Sequence, residues 1–550
     1  MSQPEPTASV VLRPRAAGTL QCWLYDEIRS AILERRLPPG SKLPSRRALA
    51  RQYRVSLTTV VSVSEKLVQL GYLDARAGSG TYVSAALPDR AAEGGVSEAA
   101  ATRERRRSLS ARGRILTAHP FPRSLADESR AVFGLGSALD VFPSETWNRL
   151  AGQRMRRERS LEALAHGEPL GFRPLRAALA DHVGRTRGVR CRADQVVITC
   201  GTQHSLDLVA RLLLDPGDEV WMEDPGYAPA TSLLRAHGAK VVGVPVDSRG
   251  IDCAAGRLRS PHARLAYVTP SCQFPLGVQM SHERRLKLLQ WANDAGAWVF
   301  EDDQDGQLQS DGRLQALHSL DRAGSVIYSN SLSGMLFPSL RLGFLILPPA
   351  FIEPAAAALS ITQRYRSTAE QAVLTDFITQ GHFDRQVRRM RDLYGERREA
   401  LLAAGRVELR ELLQFSDSQP GRQIVGWLAP GLSEAEVRRR AAARQIDSIE
   451  LGTLTLDRPM PPGLVLGIGA ADSRAIRTAI RRLGRILRVL AWQMRTRPAR
   501  AKVPAQSTAQ LPVDTRQPTV RRARPQPRNS SSLPARSPPA LAPALSPRYR

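Results

Sequence analysis

Between about residues 128 and 490, short strand-like runs alternate with longer amphipathic stretches, and this alternation constrains the fold more than any other feature. The runs are Val196–Thr199, Glu219–Met222, Lys240–Val244, Leu265–Thr269, Trp298–Glu301, Ser325–Ser329 and Leu342–Leu347. Strands that alternate with helices bury both sheet faces and return in the same direction, so the pattern predicts an α/β domain with a mostly parallel sheet. At 550 residues the chain is too long for that one core, and other domains must flank it.

The N-terminal part has a different rhythm. Leu24, Ile28 and Ile32 recur on one helical face, and Pro38-Pro39-Gly40 ends that segment. Ser45 is placed to cap a second helix, Arg46–Tyr53. Ser56 is placed to cap a third, running through Val60, Val63, Leu67 and Leu70 to Gly71. Tyr72-Leu73 and Thr81-Tyr82-Val83 then flank Gly78-Ser79-Gly80. Three helices and a glycine-turned hairpin over residues 19–84 predict a winged helix-turn-helix. Its third helix opens with Ser56-Leu57-Thr58-Thr59, whose hydroxyls and amides suit phosphates or base edges. Arg46, Arg47 and Arg51 lie on the preceding helix, and Arg76 and Gly80 belong to the hairpin, where they can approach the DNA backbone or minor groove. Taken singly, each arginine is more often a surface residue than a base contact. The ordered set points to double-stranded DNA.

Charge agrees with a polyanionic partner. The formal net charge is +27, and residues 491–550 carry 12 Arg and Lys against one acid, Asp514. That segment, rich in Pro, Arg, Ser and Ala, is read as a disordered basic tail; residues 1–18 are read as disordered and 85–127 as a linker. The five cysteines, at 22, 191, 200, 253 and 272, show no paired spacing. Neither a disulfide framework nor a metal site is expected, and a reducing cytoplasm fits, with nucleoid association when DNA is bound. No apolar run reaches the roughly 18 residues of a membrane span, and no signal peptide is evident.

Several segments of the large domain suit cofactor chemistry. Gly201-Thr202-Gln203 follows one strand and opens a helix, where free amides favour a phosphate; singly, this is an ordinary strand-to-helix turn. Tyr227, just after another strand, is placed to stack on a flat ring or simply to pack. Asp302 sits among three acids at the end of a hydrophobic run, as a partner for a protonated ring nitrogen or as part of a solvated strand end. Arg341 is placed to clamp a phosphate bidentately or to form a salt bridge.

These segments carry two resemblances. Leu43-Pro44-Ser45-Arg46-Arg47-Ala48-Leu49-Ala50, Val55-Ser56, Gly71-Tyr72-Leu73 and Gly78-Ser79-Gly80-Thr81-Tyr82-Val83 resemble the GntR-family DNA-binding domain. The large domain resembles fold-type I pyridoxal 5′-phosphate (PLP) aminotransferases, and the fused pair resembles the MocR branch of GntR regulators. That match includes Phe142-Pro143, Trp147, Gly167-Glu168-Pro169-Leu170-Gly171, Pro174-Leu175-Arg176, Thr269-Pro270-Ser271, Gln273-Phe274-Pro275, Arg388-Arg389-Met390-Arg391 and Tyr394. The resemblance implies a homodimeric regulator that binds an operator and whose domain of residues 128–490 answers to a small-molecule effector. It implies that Arg47 and the start of the third helix contact DNA. It implies a phosphate cup of Gly201, Thr202, Gln203, Ser331, Ser333 and Arg341, with Tyr227 on the ring and Asp302 at its nitrogen.

The chain also departs from these patterns. The Schiff-base lysine is expected seven residues before the phosphate arginine, and that position, in Ser331-Leu332-Ser333-Gly334, is Gly334. The chain's five lysines, at 42, 66, 240, 287 and 502, all lie in other segments. A lysine amine forms the covalent link and carries the proton in transamination, and glycine does neither. Gln304 replaces a family tyrosine, Cys272 a family histidine, and Leu57 the arginine that often follows the capping serine. The expectation is a catalytically inactive sensor that holds PLP, or an amino-acid-like effector, at most noncovalently. The alternatives are an active aminotransferase with an accessory DNA module, and a structural DNA-binding protein that relies on its basic tail.

Overall fold

The computed structural model describes residues 19–76, 79–85, 87, 109–118, 132–157, 167–309, 315–363, 367–416 and 421–496. The chain divides into two units, residues 1–491 and 492–550, and within the second only 492–496 are described.

The N-terminal module is built from α1 (Leu20–Leu33), α2 (Arg46–Tyr53), α3 (Leu57–Gln69), β1 (Leu73–Arg76) and β2 (Gly80–Val83). Each helix starts on a hydroxyl cap: Thr19 Oγ1 accepts from Cys22 N, Ser45 Oγ from Ala48 N, and Ser56 Oγ from Thr59 N at 3.0 Å. Leu24, Ile28 and Ile32 face Leu49, Val60, Val63, Leu67, Tyr72 and Val83 in one core. β1 and β2 pair antiparallel, from Leu73 opposite Val83 to Arg76 opposite Gly80. Leu70, expected on the apolar face, is instead the C-cap of α3 and is exposed. Gly71 follows it with φ +76°, a left-handed conformation that turns the chain into β1 before another helical turn forms.

The large sheet has eight strands in the order β3-β10-β9-β8-β7-β4-β5-β6. They are β3 (Val196–Thr199), β4 (Glu219–Asp224), β5 (Lys240–Asp247), β6 (Gly250–Ile251), β7 (Leu265–Val268), β8 (Trp298–Asp302), β9 (Val326–Ser331) and β10 (Gly343–Ile346). The pairings from β5 through β4, β7 and β8 to β9 are parallel, whereas β10 runs antiparallel between β3 and β9. All seven expected runs are strands of this sheet, with ends shifted by a few residues. β3, β7 and β10 are buried along their whole length, as a sheet covered on both faces requires.

A second, antiparallel sheet follows, with order β11-β12-β14-β13: β11 (Leu413–Phe415), β12 (Gln423–Leu428), β13 (Ile449–Glu450) and β14 (Gly463–Gly467). The helix Ser473–Thr496 buries Ile476, Ile480, Leu483, Leu487 and Leu490. It runs past residue 490, so the expected tail begins with ordered helix, because its 3- and 4-residue apolar spacing continues to Leu490. Ala111–Ala118, inside the stretch read as a linker, is also helical, with Arg112 Nη2 3.2 Å from His237 Nδ1. Residues 1–18, the rest of the expected linker apart from 85, 87, 109 and 110, and 497–550 with Lys502 lie outside the described residues.

Candidate functional site

The loops at the carboxyl ends of β4, β7, β8 and β9 converge on one cavity, where open α/β sheets place their ligands. Its lining includes all of Gly201, Thr202, Gln203, Tyr227, Asp302, Ser331, Ser333 and Arg341, residues separated by up to 140 positions. Gly334, Gln304, Cys272, Tyr267 and Arg422 line it too.

One end of the cavity has the features of an anion cup. The helix Thr202–Leu213 begins at Gly201, whose φ of +95° suits glycine, and no side chain caps it. The amides of Thr202 and Gln203 have no hydrogen-bond partner among the described residues and are placed to bind an anion. Ser331 Oγ lies 3.5 Å from where a Cβ on Gly201 would be. A Cβ on Gly343 would come within 2.7 Å of Gly201 Cα, so a side chain there would push β10 off the cup. Ser333 Oγ is buried without a hydrogen-bond partner among the described residues. The Arg341 guanidinium makes no ion pair among them, which leaves its charge for a ligand. A bound phosphate oxygen would satisfy the stranded serine and the free amides together.

The three acids at the end of β8 take different roles, and all are buried rather than solvated. Glu301 accepts hydrogen bonds from the Leu317 and His318 amides at 2.6 and 2.8 Å. Asp303 is held by Arg187 at 2.7 Å and accepts from the Tyr328 hydroxyl at 2.8 Å and from Ser271. Both serve the fold. Asp302 and Asp303 both line the cavity, but Asp302 makes no ion pair among the described residues; Tyr267 donates to it at 2.7 Å and Thr202 Oγ1 at 3.4 Å. Burial pushes its carboxyl up to about 6, against these two hydrogen bonds. A cationic N–H on a ligand would pair with it and restore the ionised form. Burial likewise pushes the Tyr227 hydroxyl up to about 12, so the ring is a neutral wall, set edge to face against Phe274 at 5.7 Å.

The opposite wall has no amine. Among the described residues, no lysine lines the cavity: Lys42 and Lys66 belong to the N-terminal module, Lys240 is exposed at the start of β5, and Lys287 pairs with Glu283 on the surface. A Cβ on Gly334 would meet Arg422 Nη1 at 3.0 Å, Arg422 Cζ at 3.3 Å and Gln304 Nε2 at 3.4 Å. Arg422, just before β12, holds Asp305 through Nε at 2.7 Å. Cys272 is buried beside this wall and its thiol is pushed far up by burial, so it is not a reactive nucleophile.

Sequence reasoning missed Tyr267, Arg187 and Arg422. Tyr267 is one apolar-looking residue in a strand. Arg187 and Arg422 are two arginines in a chain where all but five of the 79 Lys and Arg residues are arginine, so neither stands out.

In the N-terminal module, Arg47, Ser56, Thr58, Arg76 and Gly80 are exposed, and Arg46 and Thr59 are half-buried. Arg46 and Arg47 make no ion pair among the described residues. Ser56 Oγ lies 2.9 and 2.7 Å from the hydroxyls of Thr58 and Thr59, so the same cluster caps α3 and faces outward. Arg76 stacks on Tyr82 at 4.3 Å, which fixes its direction along the hairpin. A Cβ on Gly80 would touch Lys42 Cε at 3.1 Å, which brings a lysine to the hairpin that sequence spacing did not suggest. Leu57 is exposed at the head of α3. Gly78 lies outside the described residues.

Comparison with known proteins matches the model for the gntR family of bacterial regulatory proteins over residues 22–83 and that for aminotransferase class I and II over residues 153–416. The chain is 37% identical to the "Probable rhizopine catabolism regulatory protein MocR" of Rhizobium meliloti, over 84% of this chain and 92% of that protein. It is 33% identical to the HTH-type transcriptional regulator TauR of Rhodobacter capsulatus, over 72% and 82% of the two chains. Among solved structures it is similar to LysN, the alpha-aminoadipate aminotransferase of Thermus thermophilus, with a TM-score of 0.63 and 28% identity over 69% of this chain and 98% of that one.

Proposed function

The chain belongs to the MocR-type branch of the GntR transcription regulators, and from that premise we propose that its aminotransferase-like domain is a ligand sensor without transaminase activity. The observation that carries this reading is a cavity with a furnished anion cup and a carboxylate, but with glycine and, among the described residues, no lysine on the wall that needs an amine. In this reading Gly334 stands at the Schiff-base position.

The residues present fit the phosphate, ring nitrogen and ring face of PLP, but not its carbonyl. Gly201, Thr202, Gln203, Ser331, Ser333 and Arg341 would hold the phosphate, Asp302 would hold the ring nitrogen, and Tyr227 would flank the ring. PLP, when bound, supplies an electron-withdrawing ring and a carbonyl. Gly334 offers neither a covalent anchor nor a proton carrier, so this chain binds and orients without turning over. Gln304 takes the place of the family's phenolic partner and offers an amide instead. An amino-acid-like effector is the other ligand class that the cavity suits.

Regulation would pass through a homodimer in the cytoplasm, since two modules of residues 19–84 match two half-sites on an operator. Residues 128–490 would bind the ligand and dimerise, and 85–127 would connect them. A ligand changes operator binding only if it prefers one arrangement of the two modules.

A titration with PLP, read by absorbance and thermal shift and followed by borohydride, tests this reading. Expected are stabilisation of the wild type and no covalent label. A borohydride-fixed label mapped to a lysine of the wild-type chain would overturn the noncatalytic reading.

A further inference from the structure

The wall opposite the anion cup carries a second cation. Arg422 projects from the residue before β12 and reaches Gly334, where its Nη1 lies 3.0 Å from the position of a Cβ. Its side chain is 15% exposed, and Asp305 opposite it only 8%. Only Nε is engaged, by Asp305 at 2.7 Å. Nη1 and Nη2 have no hydrogen-bond partner among the described residues, and Arg422 lines the cavity. A Cβ at 334 would crowd this guanidinium tightly, and a longer side chain reaching into the cavity would run into it. Glycine at 334 and arginine at 422 are therefore a matched pair.

An arginine remains protonated at any physiological pH and presents its free N–H groups as a planar fork. It is no nucleophile, and the complementary group for such a fork is a carboxylate. The phosphate end of the cavity is already served by Arg341, the serine hydroxyls and the helix amides. A second, separate fork asks for a second anion on the same ligand.

We propose that Arg422 occupies the space of the missing lysine chain and selects a ligand that carries a carboxylate at the end remote from its phosphate. The class is a phosphorylated aromatic amine joined to an amino acid, rather than a free aldehyde or a simple amine. This rests on the ligand-site reading above and names which molecules that site prefers.

Calorimetric titration of the full-length protein with N-(5′-phosphopyridoxyl)glycine and with pyridoxamine 5′-phosphate tests the proposal, because the two share phosphate and ring and differ in the carboxylate. One charge-assisted fork predicts that the glycine adduct binds about 10- to 100-fold tighter. In Arg422→Gln paired with Asp305→Asn, which removes both buried charges together, the adduct should fall to the level of the amine while the amine is unchanged. Arg422→Lys, which keeps the charge but not the fork, should give an intermediate preference and guards against a folding defect in the double variant. Arg341→Gln should weaken both ligands alike. Equal wild-type affinity for the two ligands, or equal loss of both in the double variant, overturns the role of Arg422 and leaves the cup standing. Binding of neither ligand overturns this proposal together with the sensor reading.

Discussion

Replacing Asp302 by asparagine separates stability from ligand binding. In the folded chain the Asp302 carboxyl is raised from 3.8 to about 6 by burial. Its charged form is therefore disfavoured in the fold. The penalty is absent below about pH 4, grows between pH 4 and 6, and is complete above about pH 6, where it amounts to about 3 kcal/mol. Asparagine keeps an oxygen for the Tyr267 hydroxyl, now 2.7 Å from the aspartate, and carries no charge. Without ligand, Asp302→Asn should thus be more stable than wild type at pH 8 by up to about 3 kcal/mol. For a large domain of this length, that raises the calorimetric midpoint by about 4 °C. The gain should shrink toward pH 4.5. PLP should stabilise the variant less than the wild type at the same concentration, because a charge-assisted bond to a ring N–H is worth about 1.5–3 kcal/mol and is lost. A variant no more stable than wild type at pH 8, or a gap that does not change with pH, would refute the assignment of Asp302 as a strained, ligand-facing carboxylate.

Other perturbations test other parts of the account. Arg47→Ala should weaken operator binding by about 1–3 kcal/mol in fluorescence anisotropy, and unchanged affinity would mark Arg47 as a surface residue only. Arg187→Met leaves Asp303 buried and unpaired and should cost about 3–5 kcal/mol in thermal or urea unfolding, whereas adding Asp303→Leu should recover much of it; equal loss in both variants would show that the ion pair is not the cause. Deleting residues 497–550 should weaken DNA binding and flatten its salt dependence while keeping the preference for the operator over random DNA, and loss of that preference would give the tail a role in sequence reading.

The parts of the structure that repeat were legible in the sequence. The strands of the large sheet announce themselves as apolar runs, and the N-terminal module does so through the spacing of Leu24, Ile28 and Ile32 and the serine caps at 45 and 56. Gly201 and Asp302 stand out because strand ends and helix starts have a recognisable grammar, and Arg341 through the family resemblance. The smaller antiparallel sheet did not stand out, because β11 and β13 are only three and two residues long and their register is set by partners far away in sequence. The same holds for Arg422 and Tyr267. What they do depends on which residue stands opposite: Gly334 and Asp305 for the first, Asp302 for the second. Leu70 was misplaced because periodicity does not show where a helix stops. The helix at Ala111–Ala118 was missed because Ala, Arg and Gly in so short a stretch make no clear apolar face.

In the proposed reading, ligand binding in the cavity and operator binding by residues 19–84 are coupled without chemistry. Operator affinity measured across a PLP titration, and repeated with Arg341→Gln, tests it most directly. The ligand should shift the operator affinity of the wild-type protein, no amino group should be transferred to a keto acid under the same conditions, and Arg341→Gln should remove the shift while leaving ligand-free operator binding intact. Operator affinity that ignores every concentration of PLP and of the phosphopyridoxyl adduct, or turnover of an amino acid by the wild-type chain, would contradict it.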